Sequence, residues 1–96
     1  MTTRPEAIAT IQVDDEHVRV TEWRFAPGAE TGWHRHAHDY VVVPITDGLL
    51  RLETLQGDLE AQLRLGQSYA RKVGVEHNVV NAGAHELAFI EIELKR

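Results

Sequence analysis

Polar and apolar residues alternate with a period of two along most of this chain, the repeat of a strand with one face buried and one in water. Leu59, Ala61, Leu63 and Leu65 alternate with Glu60, Gln62 and Arg64. This predicts a strand with one buried face, despite the good helix formers in the run. Ile90, Ile92 and Leu94 alternate with Glu91, Glu93 and Lys95 and predict a second such strand. Leu50, Leu52 and Thr54 alternate with Arg51 and Glu53, and Gln56-Gly57-Asp58 joins this run to the Leu59 strand as a hairpin. Another strand starts at Val18-Arg19-Val20, runs through Trp23 and Phe25, and stops at Pro27-Gly28. Tyr40 to Val43 is apolar on both faces, which places it inside the sheets. Thr46-Asp47-Gly48, Leu65-Gly66-Gln67 and Asn81-Ala82-Gly83 supply further turns. No window holds helical spacing. Short strands with turns every roughly 8–12 residues predict an all-β sandwich or barrel.

Composition narrows the picture. At 96 residues the chain is expected to form one small domain, residues 1–96. It buries roughly 60–70% of its unfolded surface, enough for one core that a metal or a second subunit would help to stabilise. A net charge of −5 argues against a nucleic-acid surface, and no Lys/Arg cluster overrides it. The absence of cysteine excludes disulfides, thiolate ligands and a Cys nucleophile, so any metal must be held by nitrogen and oxygen. No signal peptide is visible around Arg4, Pro5 and Glu6, and no run approaches the ~20 apolar residues of a membrane span. The expected location is the cytoplasm. Met1 to Ala7 reads as a loose arm or an edge element, and arms of this kind often pair with a neighbouring subunit, so a homodimer is expected.

His34 and His36, in Gly32-Trp33-His34-Arg35-His36-Ala37-His38, are the residues richest in chemistry. An extended strand puts residues i and i+2 on one face about 6.6 Å apart. Two imidazoles so placed can lean onto one ion at about 2.0–2.1 Å. His77, in Gly74-Val75-Glu76-His77, offers a third nitrogen from a distant strand and would leave coordination positions open for water or substrate. His38 would lie about 13 Å from His34 on a continuous strand and is left out of the set. Trp33 and Arg35 should point to the opposite face, and Glu76 away from the ion. Arg71 is a candidate contact for a substrate carboxylate, with an exposed ion pair as the competing reading. His17 and His85 read as solvated.

The spacing of these residues resembles that of the cupin superfamily. Its first motif runs Gly, five residues, His-x-His, three or four residues, Glu, six residues, Gly. Here Gly28 is followed by five residues, His34-Arg35-His36 and, later, Gly48. The second motif runs Gly, five residues, Pro-x-Gly, two residues, His, three residues, Asn. Here Gly66 is followed by five residues, Lys72-Val73-Gly74, two residues, His77, three residues and Asn81. The motifs span residues 28–81, more than half the chain, with a short hairpin between them. The resemblance implies a small double-stranded β-helix, or jelly-roll barrel. It also implies a divalent metal (Fe, Mn, Ni or Zn) held by His34, His36 and His77. The family's Glu falls where this chain has Tyr40 and Val41, and Asp39 is one place out of register. Tyr40, Asp39 or water would then complete the coordination, although a buried Tyr40 with a satisfied hydroxyl is an equally chemical reading.

The runs Gly32 to His36, Asp39 to Pro44 and Gly74 to Asn81 also resemble the small bacterial cupins named for β-alanine degradation. That resemblance points to amino-acid catabolism without specifying a reaction. The expected function is a metal-dependent enzyme acting on a small polar metabolite, with dioxygenase-like chemistry within its range. A non-catalytic metabolite-sensing module and a structural dimer with a vestigial site are the rivals.

Overall fold

A computed structural model describes residues 3–95. It contains nine strands: β1 (Ile8–Asp14), β2 (Val18–Phe25), β3 (His34–Arg35), β4 (Asp39–Pro44), β5 (Gly48–Thr54), β6 (Gly57–Leu63), β7 (Tyr69–Arg71), β8 (Glu76–Asn81) and β9 (Leu87–Leu94). No helix forms among the described residues, and none is therefore long and apolar enough to cross a membrane. The strands make two antiparallel sheets, ordered β1-β2-β9-β4-β7 and β3-β8-β5-β6. This is the double-stranded β-helix that the motif spacing implied. Strands adjacent in sequence repeatedly cross between sheets, so each sheet supplies one wall of a shared interior.

Most expected strands form where the alternation places them, and β4 does lie inside its sheet between β9 and β7. The hairpin tip sits slightly earlier than expected: Leu55-Gln56 turns, and Gly57, at φ +110°, already begins β6. Thr54 Oγ1 steadies this turn by donating to the Gly57 carbonyl at 2.7 Å. Three short or irregular strands, β1, β3 and β7, carry no alternation strong enough to have announced them.

Two expectations about faces need correction. Leu63 is buried and Ala61 half-buried, but Leu59 and Leu65 are 60% and 64% exposed. β6 is an edge strand that ends at Leu63, so Leu65 falls in the following turn, where its N–H donates to Asp47 Oδ1 at 2.8 Å. On β9 the phase is inverted. Leu87, Phe89 and Glu91 are buried, whereas Ile90, Ile92 and Leu94 are half-buried on the outer face, with Ile92 in register with Val20 and Val41. β9 is apolar on both sides, and Leu87 and Phe89 take the interior.

The core is Phe25, Leu50, Leu63, Val79, Leu87 and Phe89 with Tyr40 and Val42 beside them. The Phe25 and Phe89 rings meet at 5.5 Å between centroids. Leu87 lies directly over Gly48, where a Cβ would come within 2.9 Å of its side chain. The described part of the N-terminal arm is an edge element and not a loose one. Ala7 N donates to Glu30 O, Glu30 N donates to Pro5 O, and Arg4 ion-pairs with Glu30 and Glu53, each at 2.8–2.9 Å. Met1 and Thr2 lie outside the described residues.

Asn81 closes the interior behind the cavity. Its side chain is fully buried; Nδ2 donates to the carbonyls of Phe25, Ala26 and His85 at 2.8–3.3 Å, and Oδ1 accepts from Gly83 N at 2.9 Å. One amide thus satisfies the end of β2 and the β8–β9 turn together. Asn81→Ala strands those carbonyls and is expected to lower stability by about 2–4 kcal/mol. Asn81→Asp should cost more, because a carboxylate would face carbonyl oxygens. Urea denaturation midpoints of the two variants test the order.

Candidate metal centre

His34 and His77 stand directly opposite each other in the β3–β8 ladder. His36 follows β3, and its backbone is locked to the turn before β8: His36 N donates to Val75 O at 2.8 Å and Gly74 N donates to His36 O at 2.9 Å. The three rings meet edge-on, with centroids 4.7–5.2 Å apart. Their Nε2 atoms converge, at 3.1 Å for His34–His36 and 3.2 Å for His36–His77. Ligands about 2.1 Å from a common ion at angles of ~95–100° have these separations. Among the described residues, these three are the group of His, Asp and Glu side chains whose ligand atoms lie within 4.8 Å of one another. The cluster is compatible with a divalent metal.

The tautomers sharpen the case. His34 Nδ1 lies 2.9 Å from the Gly32 carbonyl, which can only accept, so Nδ1 carries the hydrogen and Nε2 turns a lone pair inward. His36 Nε2 can donate its single hydrogen to that lone pair, but then has nothing left to accept or donate to His77. Protons alone cannot satisfy both contacts. Burial, reinforced by His34 and His77, lowers the His36 pKa to about 3. Burial, His34 and Arg71 lower that of His77 to about 4. Both imidazoles are therefore neutral at pH 7, the form that binds metals.

Several residues hold the rings in place. Tyr40 stacks on His36 with centroids 3.9 Å apart and planes 19° from parallel. Burial pushes its phenol pKa up, so it stays protonated. Asn78, next to His77, accepts from Gly32 N at 2.9 Å and thereby fixes the carbonyl that orients His34. Its Nδ2 donates to Glu30 and Glu53, the two carboxylates held by Arg4. This chain of contacts joins the N-terminal arm to the histidine loop.

The other candidates separate clearly. Asp39 lies on the opposite side of β4 from Tyr40, and its Oδ1 accepts from Val73 N at 2.8 Å, bracing the turn before His77 from outside the cluster. His38 sits beside Asp39 in a shallow surface concavity. Arg71 lines the cavity, its guanidinium 4.5 Å above the Tyr69 ring. Trp33 is exposed and donates from Nε1 to Glu76 at 2.7 Å.

The histidines open into a cavity of about 540 Å³. Its opposite wall carries Arg19 and Trp23 on β2 and Glu91 and Glu93 on β9, the glutamates turned inward where the alternation places them in water. Burial, then the neighbouring Glu93, push the Glu91 pKa up to about 7. Taking the phase of β9 from Leu87 and Phe89 would have turned both glutamates inward.

Two antiparallel sheets wound around a cavity with converging imidazoles define a cupin, and residues 21–93 match the cupin domain; the chain belongs to this family. It is 66% identical, over 99% of its length and 100% of the relative's, to the β-alanine degradation protein BauB of Pseudomonas aeruginosa. A cupin domain protein from Bordetella pertussis superposes with a TM-score of 0.98, at 58% identity and full coverage of both chains. A double-stranded β-helix protein from Klebsiella pneumoniae, 22% identical, shares the fold at a TM-score of 0.79, over 99% of this chain and 82% of its own.

The metal-free protein should be most stable near pH 6.5. His36 and His77 have folded pKa values below the ordinary 6.5, so the unfolded chain takes up their protons first and stability falls as pH drops from 6.5 towards 4. Glu91 acts oppositely, since its stabilising proton, kept up to about pH 7 in the fold, leaves the unfolded chain near 4.5. Two histidines outweigh one glutamate, leaving a net slope of about 1.4 kcal/mol per pH unit between 4.5 and 6.5. Urea midpoints of chelator-treated protein across this range measure it.

Proposed function

We propose that this chain is a metal-dependent cupin that binds one divalent ion through His34, His36 and His77 and acts on a small polar metabolite of β-alanine breakdown. The observation that carries the reading is the convergence of three Nε2 atoms at 3.1 and 3.2 Å with His34 committed to Nδ1–H. The similarity to the β-alanine degradation protein supplies the metabolic setting. A bound iron, manganese, nickel or zinc ion supplies Lewis acidity and, for the first two, access to O₂ chemistry. The chain's own residues do the rest. Asn78 and Gly32 fix the plane of His34, Tyr40 fixes that of His36, and Arg71 is placed at the cavity to meet an anionic group.

Purified protein is expected to carry close to one divalent ion per chain by elemental analysis. His77→Ala should lose it, with affinity falling by more than the roughly 10–100-fold typical of residues that only support the ligands. Chelation should lower the melting temperature of the wild type and leave that of His77→Ala unchanged. A wild type that carries no metal and does not respond to chelator would falsify the reading.

We also propose that a second copy of the chain pairs along β1. All seven residues of this strand are exposed, with Ile8 at 65% and Ile11 at 58%, and its hydrogen-bonding partner is β2 on one side only. Ile8 to Val13 carries no charge to blunt the edge. Antiparallel pairing of two such edges about a two-fold axis satisfies both and makes one continuous sheet. Light scattering should find a dimer, and Ile11→Lys should shift it to monomer with the near-UV spectrum retained; a monomeric wild type rejects the pairing.

A further inference from the structure

The wall facing the histidines carries two carboxyls, and nothing in the metal centre uses them. Strand register lays its side chains in rows. Arg19, Glu93, Tyr40 and Arg71 form the row across β2, β9, β4 and β7. Thr21, Glu91, Val42 and Tyr69 form the next row inward. Glu91 is 8% exposed, and no Lys, Arg or His nitrogen within 4.0 Å pairs with it or with Glu93 among the described residues. Two carboxyls on one desolvated wall repel each other, and a fold tolerates this when a proton or a bound cation compensates. Arg19, the nearest cation in register, is engaged by Asp14 at 3.4 Å.

The surroundings select the kind of cation. Trp23, Tyr40, Tyr69 and Phe89 line the same cavity as the carboxyls, Tyr40 with one face stacked on His36 and Tyr69 with one face under the Arg71 guanidinium. Such faces attract an ammonium group and repel an anion. Trp23 Nε1 is buried in the same cavity lining and has no hydrogen-bond partner. A ligand with donors for the carboxyls would complete this wall. A bare metal ion would find no third acidic ligand here.

We propose that Glu91, supported by Glu93 and the aromatic wall, receives the primary ammonium group of a small amino acid whose carboxylate lies towards the histidines and Arg71. The orientation of the carboxylate rests on the metal reading above; the ammonium contact does not. The substrate class is thereby narrowed to short chains with a free amine at one end and an acid at the other. Glu91 binds and orients the amine, while Glu93 is a positioning residue that keeps the wall negative.

Calorimetric titration of the full-length, as-purified protein with β-alanine and with propanoate tests this, because the two differ only in the ammonium group. β-Alanine is expected to bind at least tenfold tighter. Glu91→Gln, close to isosteric, should erase that preference while leaving propanoate affinity and metal content unchanged. Equal affinities in the wild type, no binding of β-alanine, or a preference that survives in Glu91→Gln would each overturn the assignment. Metal content measured on the same samples keeps the two readings apart. Metal-free protein that still prefers β-alanine retains the Glu91 contact and loses the centre, whereas metal-bound protein blind to the ammonium does the reverse.

Discussion

Three imidazoles that turn their Nε2 atoms towards one point cannot be reconciled by the hydrogens they carry. His34 has already given its hydrogen to a backbone carbonyl, and His36 has one hydrogen for two neighbours. In isolation the rings would rotate apart or take up protons. Here the β3–β8 ladder, the Val75 and Gly74 backbone bonds and the stacked Tyr40 ring prevent rotation. Burial prevents protonation. Packing of the surrounding barrel therefore keeps the nitrogens in an arrangement they would not choose, one that is compatible with a divalent cation.

The winding of the two sheets gives each chemistry its own wall. The histidines come from β3, its exit and β8, while the acidic and aromatic residues come from β2, β4, β7 and β9. His36 and Tyr40 are four residues apart, yet His36 follows a strand of one sheet while Tyr40 lies in the other, and their rings stack face to face. Such separation lets one wall vary without disturbing the ligand geometry on the other.

Much of this was legible in the chain, and the gaps have physical causes. The period-two alternation and the turn residues located most strands, and the motif spacing brought His34, His36 and His77 together, as the structure does. Asp39 could not be judged from sequence, because a shift of one residue on β4 decides whether it faces the cavity or the Val73 turn. β1 was missed because every residue is exposed and no face is selected. Glu91 and Glu93 were assigned to water because glutamate between isoleucines is normally the wet side of a strand. That rule fails where a cavity, and not a packed core, lies behind the sheet.

β9 shows how such a strand settles its phase. With Leu87 and Phe89 on one side and Ile90, Ile92 and Leu94 on the other, a slip of one residue would exchange two apolar sets at little hydrophobic cost. Gly48 breaks the tie. Its bare backbone leaves a notch that Leu87 fills, and a Cβ there would collide with it. The notch works as a key that admits the strand in one frame only. The two glutamates keep their place on the cavity wall because a residue several strands away in sequence has a hydrogen where any other amino acid would carry a carbon.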